Sequence, residues 1–131
     1  MFISCEQVDS FHANALIQRL RQEGISVSHS PRNPSDGNDE RWINWYDGGG
    51  QEEISKAEVF VVVVTAGWDA STWMAFEATE ALKGLRQGHT KRMMHYNPEN
   101  TKIHYPENKY KWLGEKLPDN LEEAITLLKS L

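Results

Sequence analysis

Val59-Phe60-Val61-Val62-Val63-Val64 is an unbroken run of β-branched and aromatic apolar residues. It shows no alternation, so a strand made from it has no face suited to water. Such strands sit inside parallel sheets that helices cover on both sides. The run therefore predicts a central strand over Glu58–Thr65, and the flanking segments must supply the cover.

Those segments alternate as this requires. Phe2-Ile3-Ser4-Cys5 predicts a first strand. Asp9 or Ser10 can cap a helix on which Phe11, Ala15, Leu16 and Leu20 recur at helical spacing, and Gly24 can end it. Ile25-Ser26-Val27-Ser28 alternates and predicts a second strand. Residues 30–50 form a long connection rich in proline, glycine and aspartate, with Trp42, Trp45 and Tyr46 among them. These three aromatics can form a short helical turn packed on the core. A helix over Gln51–Lys56 precedes the central strand, and a longer one over Ser71–Arg86 follows it. Lys91–Tyr96 predicts a fourth strand and Tyr110–Leu113 a short edge strand. Asp119 or Asn120 caps a last helix through Leu131. This order predicts an α/β protein: a three-layer, flavodoxin-like open parallel sheet with helices on both faces. With 131 residues, one domain over 1–131 and one core are expected.

Charge is unevenly spread. The net charge of −5 divides into −8 over residues 1–80, +5 over 81–116 and −2 over 117–131. Overall acidity argues against nucleic-acid binding. The basic third suits either a solvated surface or a patch for a phosphate-bearing ligand or acidic partner. No apolar run is long enough to cross a bilayer, so no membrane association is expected. Met1–Cys5 lacks a basic n-region and a long apolar h-region, and Cys5 is the single cysteine. A cytoplasmic, reducing location is therefore expected.

The segment after the central strand holds the chemistry. On a helical wheel with Trp73 at zero, Met74, Ala78, Ala81, Leu82 and Leu85 centre near about 120°, the expected core face. Glu77 lies near about 40°, at the border of that face. Glu80 lies near about 340° and is expected to face solvent. Glu77 is thus the carboxylate placed for partial burial at the carboxyl edge of the sheet, where ligands bind in such folds. A carboxylate there can accept hydrogen bonds from ribose hydroxyls. It can also stabilise the positive charge that develops on a sugar as a glycosidic bond breaks. The loops after Cys5, Ser28 and Thr65 should converge on it as a cleft. At least one of Trp42, Trp45, Tyr46 or Trp68 should line that cleft, since an aromatic face can stack on a base.

Two stretches resemble a known family. Phe2-Ile3-Ser4-Cys5 followed by Asp9 resembles the opening strand and capped helix of Toll/interleukin-1 receptor (TIR) domains. Ser71, Trp73 and Glu77 match the TIR segment Ser-x-Trp-Cys-x-x-Glu in type and spacing, with Met74 in place of the cysteine. The resemblance covers most of the chain to about Tyr96. In enzymatic TIR domains this glutamate cleaves NAD, giving nicotinamide and ADP-ribose or cyclic products. The resemblance thus implies Glu77 as catalytic residue, with NAD as substrate and not as cofactor. Candidate substrate-binding residues are Ser4, Cys5, Trp42, Trp45, Tyr46, Trp68, Ser71 and Trp73. Self-association, or pairing with other TIR-like domains, is the implied partnership. Nucleoside deoxyribosyltransferases, which share the fold and an equivalent glutamate, are the sister resemblance. Their Asp-Ser-Gly-Thr-x-x-Glu segment is matched less well, because Asp69-Ala70-Ser71-Thr72 lacks the glycine. A non-catalytic interaction module is the rival of both.

Other motifs are sparse. His12, His29, His89, His95 and His104 show no ligand spacing, so no metal is expected. There is neither a Walker loop nor a Gly-x-Gly-x-x-Gly sequence. Gly48-Gly49-Gly50 could present backbone N–H groups to phosphate or simply turn the chain.

Overall fold

In a computed structural model, residues 1–6, 11–31, 40–66, 68, 71–103 and 113–131 are described. The expected cap at Asp9 or Ser10 and most of the expected strand at 110–113 lie outside these residues. The elements are β1 (Phe2–Ser4), α1 (Phe11–Gln22), α2 (Glu40–Trp45), a π-helical turn (Tyr46–Gly50), α3 (Gln51–Ser55), β2 (Val59–Val63), α4 (Thr72–Arg86), β3 (Arg92–Tyr96), β4 (Glu115–Lys116) and α5 (Leu121–Lys129).

The four strands form one parallel sheet in the order β1-β2-β3-β4. Phe60 pairs with Phe2 on one side and with Met93 on the other, so the apolar run is interior as expected. Its side chains divide by alternation. Val61 and Val63 join Ile3, Met94 and Tyr96 under α1 and α5, while Phe60, Val62 and Val64 join Phe2, Ile54, Met74 and Ala78 under α3 and α4. The result is a flavodoxin-like arrangement of helices on both faces of an open sheet.

Ile25–Ser28 departs from expectation. It lies beside β1 but forms only one bridge, Phe2 to Ser28. Its backbone groups are engaged elsewhere: the Ile25 amide donates to the Leu20 carbonyl at the end of α1, and the Val27 carbonyl accepts from Arg21 Nη2 at 3.0 Å. With that segment counted as an outer strand, the chain order is that of a doubly wound sheet with its switch point beside β1. The edge strand on the other side falls at Glu115–Lys116, after Leu113, and not at 110–113. The described part of the aromatic-rich connection is helical from Glu40 up to a kink at Gly49, and Trp42 is buried in it. Gly49 turns the chain there at φ 134°, a conformation that favours glycine. Ser71 caps α4 by accepting from the Met74 amide at 3.2 Å, and Asn120 caps α5 by accepting from the Glu123 amide at 3.1 Å.

The buried face of α4 is rotated from the apolar wheel. Met74, Glu77, Ala78, Glu80, Ala81 and Gly84 are buried, while Leu85 is exposed. Gly84 explains part of this. A Cβ there would collide with the Ser55 carbonyl and lie 2.5 Å from Thr90 Oγ1, so a bare backbone lets α4 close on the end of α3. Alanine is the better helix former by about 1 kcal/mol, but backbone on the far side of this contact cannot move aside cheaply. Gly84→Ala is expected to lower stability by about 1–3 kcal/mol net, read as a lower urea midpoint at unchanged slope.

Candidate active site

Glu77 projects from the second turn of α4 onto the end of β1. Its carboxylate is withdrawn from water, at 1% exposure. Oε1 accepts from Ser4 Oγ at 2.6 Å, and Oε2 accepts from Trp42 Nε1 at 3.1 Å. Ser30 supplies a further side-chain hydrogen bond. The donors come from the last residue of β1, from the chain just beyond Ser28, and from α2. This is the carboxyl edge of the sheet at its switch point, where the end of β1 and the chain beyond Ser28 meet Glu77.

The electrostatics are those of a desolvated acid with good partners. Burial raises the Glu77 pKa from its ordinary 4.5 to about 7, against the hydrogen bonds from Ser4, Trp42 and Ser30, which favour the anion. The group therefore changes charge near neutrality.

An aromatic stack closes the site. The Trp42 ring lies 4.5 Å from Tyr46 at 17° and 4.5 Å from Trp73 at 32°. Phe76 flanks Trp42, Tyr46 and Trp73 with centroids 6.1–6.3 Å away. Glu77 thus lies beneath the Trp42 indole and not on the wall of an open cleft.

The expected site residues divide into two groups. Ser4, Trp42, Tyr46 and Trp73 are brought together around Glu77. Cys5 packs under α1 and α5, on the opposite face of the sheet from Glu77. Its neighbour Ser4 points the other way, as alternation along a strand requires. Trp45, half-buried, stacks on Phe2 at 6.0 Å, lies against Gly50 and meets Trp42 edge-on at 6.1 Å, so it backs the stack from the core side. Trp68 is buried in the cluster of Val64 and Met74. Ser71 is engaged as the cap of α4. These four are structural neighbours of the site and do not line it.

Glu80 contradicts its expected exposure. It is buried, accepting from Tyr46 Oη at 2.9 Å and from Lys83 Nζ at 3.0 Å. An apolar wheel could not find it, because carboxylates do not register as buried until their donors are known. Ser30 carries no signal of its own in the sequence: it lies two residues beyond the single bridge at Ser28, and only its hydrogen bond to Glu77 marks it.

Elsewhere on the carboxyl edge, a cavity of about 470 Å³ opens beyond β3 and β4, with His95, Asn97, Thr101, Lys102 and Lys116 in its lining. Two lysines of the basic third line it, and of these Lys116 is paired with Asp119 at 3.1 Å, as Lys83 and Arg92 are with Glu80 and Glu115. Among the described residues, no group of three or more histidine, cysteine or acidic side chains could hold a metal ion. No helix among them is long and apolar enough to cross a membrane. In comparison with known proteins, no family model, curated protein or solved structure matches the chain.

The raised Glu77 pKa has a consequence for stability. Between the unfolded value near 4.5 and the folded value near 7, the folded protein binds the extra proton. This contribution to stability is therefore full at low pH and is lost as pH rises through 7. Glu77→Gln should abolish it, since the amide oxygen can accept from Trp42 while the amide N–H donates to a turned Ser4 hydroxyl. Urea unfolding at about pH 4 and about pH 8 should show the wild type losing about 3 kcal/mol relative to the variant.

Proposed function

We propose that this chain is a TIR-like domain that cleaves the N-glycosidic bond of NAD, with Glu77 as the charge-stabilising carboxylate. One observation carries the reading: a carboxylate sealed from water at the carboxyl edge of a parallel sheet, held by Ser4, Ser30 and Trp42. The Ser-x-Trp-x-x-x-Glu spacing at Ser71, Trp73 and Glu77 supports it, and the cavity on the same edge, with Lys102 and the Asp119-paired Lys116 in its lining, offers a place for phosphate.

The chemistry asks little of the protein beyond position and field. As the C–N bond breaks, its electron pair stays with the pyridinium nitrogen, and nicotinamide leaves neutral. The ribosyl carbon becomes oxocarbenium-like and takes up water, which then loses a proton to solvent. An ionised Glu77 opposes that positive charge where water cannot screen it. Ribose hydroxyls can replace the Trp42 and Ser4 donors on its oxygens. A cytoplasmic setting and self-association of the domain belong to the same reading.

The full occupancy of both Glu77 oxygens favours a second reading. In it, Glu77 is an internal strut and the domain is an interaction module without chemistry. A deoxyribosyltransferase-like enzyme would share the carboxylate, but a neutral base leaving from its sugar needs protonation.

Concentrated protein incubated with NAD should release nicotinamide. Glu77→Gln should reduce turnover roughly a hundred- to a thousandfold, about 3–4 kcal/mol of transition-state stabilisation, with smaller change in ground-state affinity. The wild-type rate should rise with pH through about 7, as Glu77 ionises. A rate that falls with pH on nucleosides would favour the transferase. Absence of cleavage of any nicotinamide or nucleoside substrate, even in concentrated protein, would leave the interaction module.

A further inference from the structure

Two parallel rungs join α2 and its π-helical turn to α4. On α4, Glu77 and Glu80 lie one turn apart and both are buried. Opposite them, Trp42 and Tyr46 also lie one turn apart. Trp42 Nε1 donates to Glu77 Oε2 at 3.1 Å, and Tyr46 Oη donates to Glu80 Oε1 at 2.9 Å. The two donor rings stack on each other at 4.5 Å. Neither rung can shift alone, because moving the indole off Glu77 slides it against the phenol ring. Lys83 holds Glu80 from the solvent side at 3.0 Å.

We infer that Tyr46 and Glu80 are positioning residues for Glu77, forming the latch that keeps the Trp42 indole closed over its carboxylate. The inference rests on the proposed role of Glu77 and deepens it by naming what controls access. The inner rung is costly to break unaided, since it leaves a buried carboxylate short of a donor. A ligand that brings its own hydroxyls removes that cost, so a vicinal diol such as ribose is the chemistry that can hold the site open. The outer rung sets how often the indole swings away beforehand. The Tyr46 phenol is kept protonated, and so a donor, by burial first and then by Glu80. Gly48 and Gly49, which follow Tyr46, have open space around them, and Gly49 adopts φ 134°. Gly49 thus carries the kink through which α2 leads into α3.

The test needs no substrate. The exchange rate of the Trp42 indole proton is followed by NMR, with the resonance assigned through Trp42→Phe and the amides of Val61 and Val62 in β2 as the reference for global opening. Tyr46→Phe keeps the stacked ring and loses only the hydroxyl, and Glu80→Ala loses the acceptor. Each should speed indole exchange about tenfold while the β2 amides stay unchanged. The double variant should add little to either, as members of one rung do. Glu80→Gln, which keeps an acceptor oxygen, should restore most of the protection. Unchanged indole exchange in both Tyr46→Phe and Glu80→Ala would overturn the latch. So would exchange that rises only in step with the β2 amides. If the variants free the indole but the wild type cleaves no NAD, the latch stands and the glycosidase reading falls. If cleavage depends on Glu77 while indole exchange ignores Tyr46 and Glu80, the latch falls and the glycosidase reading stands.

Discussion

A carboxylate placed between a sheet and the helix that covers it must find donors, because nothing else offsets the loss of water. Meeting that requirement at Glu77 ties together four parts of the chain that are distant in sequence: β1 through Ser4, the segment beyond Ser28 through Ser30, α2 through Trp42, and α4 itself. Each donor fixes a boundary. Ser4 sets the register between the end of β1 and α4. Trp42 sets how α2 lies across α4, and its ring then sets where Tyr46, Trp73 and Phe76 can stack.

The same requirement makes the site closed. Donors sufficient to hold a carboxylate in a dry place also occupy the positions a ligand would need. Chemistry and structure therefore compete for the same oxygens. The balance is struck near neutral pH, because burial lifts the pKa while three donors lower it. A site of this kind admits only ligands that replace the hydrogen bonds they displace, which is a form of selectivity built from desolvation alone.

How much of this was legible in the sequence depended on the kind of residue. The sheet interior was plain, since Val59–Val64 has no polar face to place in water, and the observed register confirms it on both sides. The cap at Asn120 was equally local, whereas Ser71, expected as the first residue of its helix, proves to be the cap. Ile25–Ser28 was overread because alternation says nothing about Arg21 taking the Val27 carbonyl. On α4, hydrophobicity misplaced the buried face toward Leu85. The true face is completed by two carboxylates and Gly84, none of which carries an apolar signal. Cys5 points into the core on the far face of the sheet, and Trp45 packs on Phe2 as well as against Trp42, outcomes that neither the opening strand nor a crowd of aromatics in sequence records.

By itself, then, the sequence determined the layered α/β class, the central place of the apolar run and the position of Glu77 at the carboxyl edge. These follow from periodicities of one element at a time: apolar faces, caps and the alternation of strand with helix. Only the tertiary structure decided which polar side chains are buried, which aromatic covers Glu77, and that Glu80 faces Tyr46 instead of water. Those outcomes depend on pairs of residues as far apart as Ser4 and Glu77. The worth of burying a polar group is set by the partner it meets, and no local pattern records that partner.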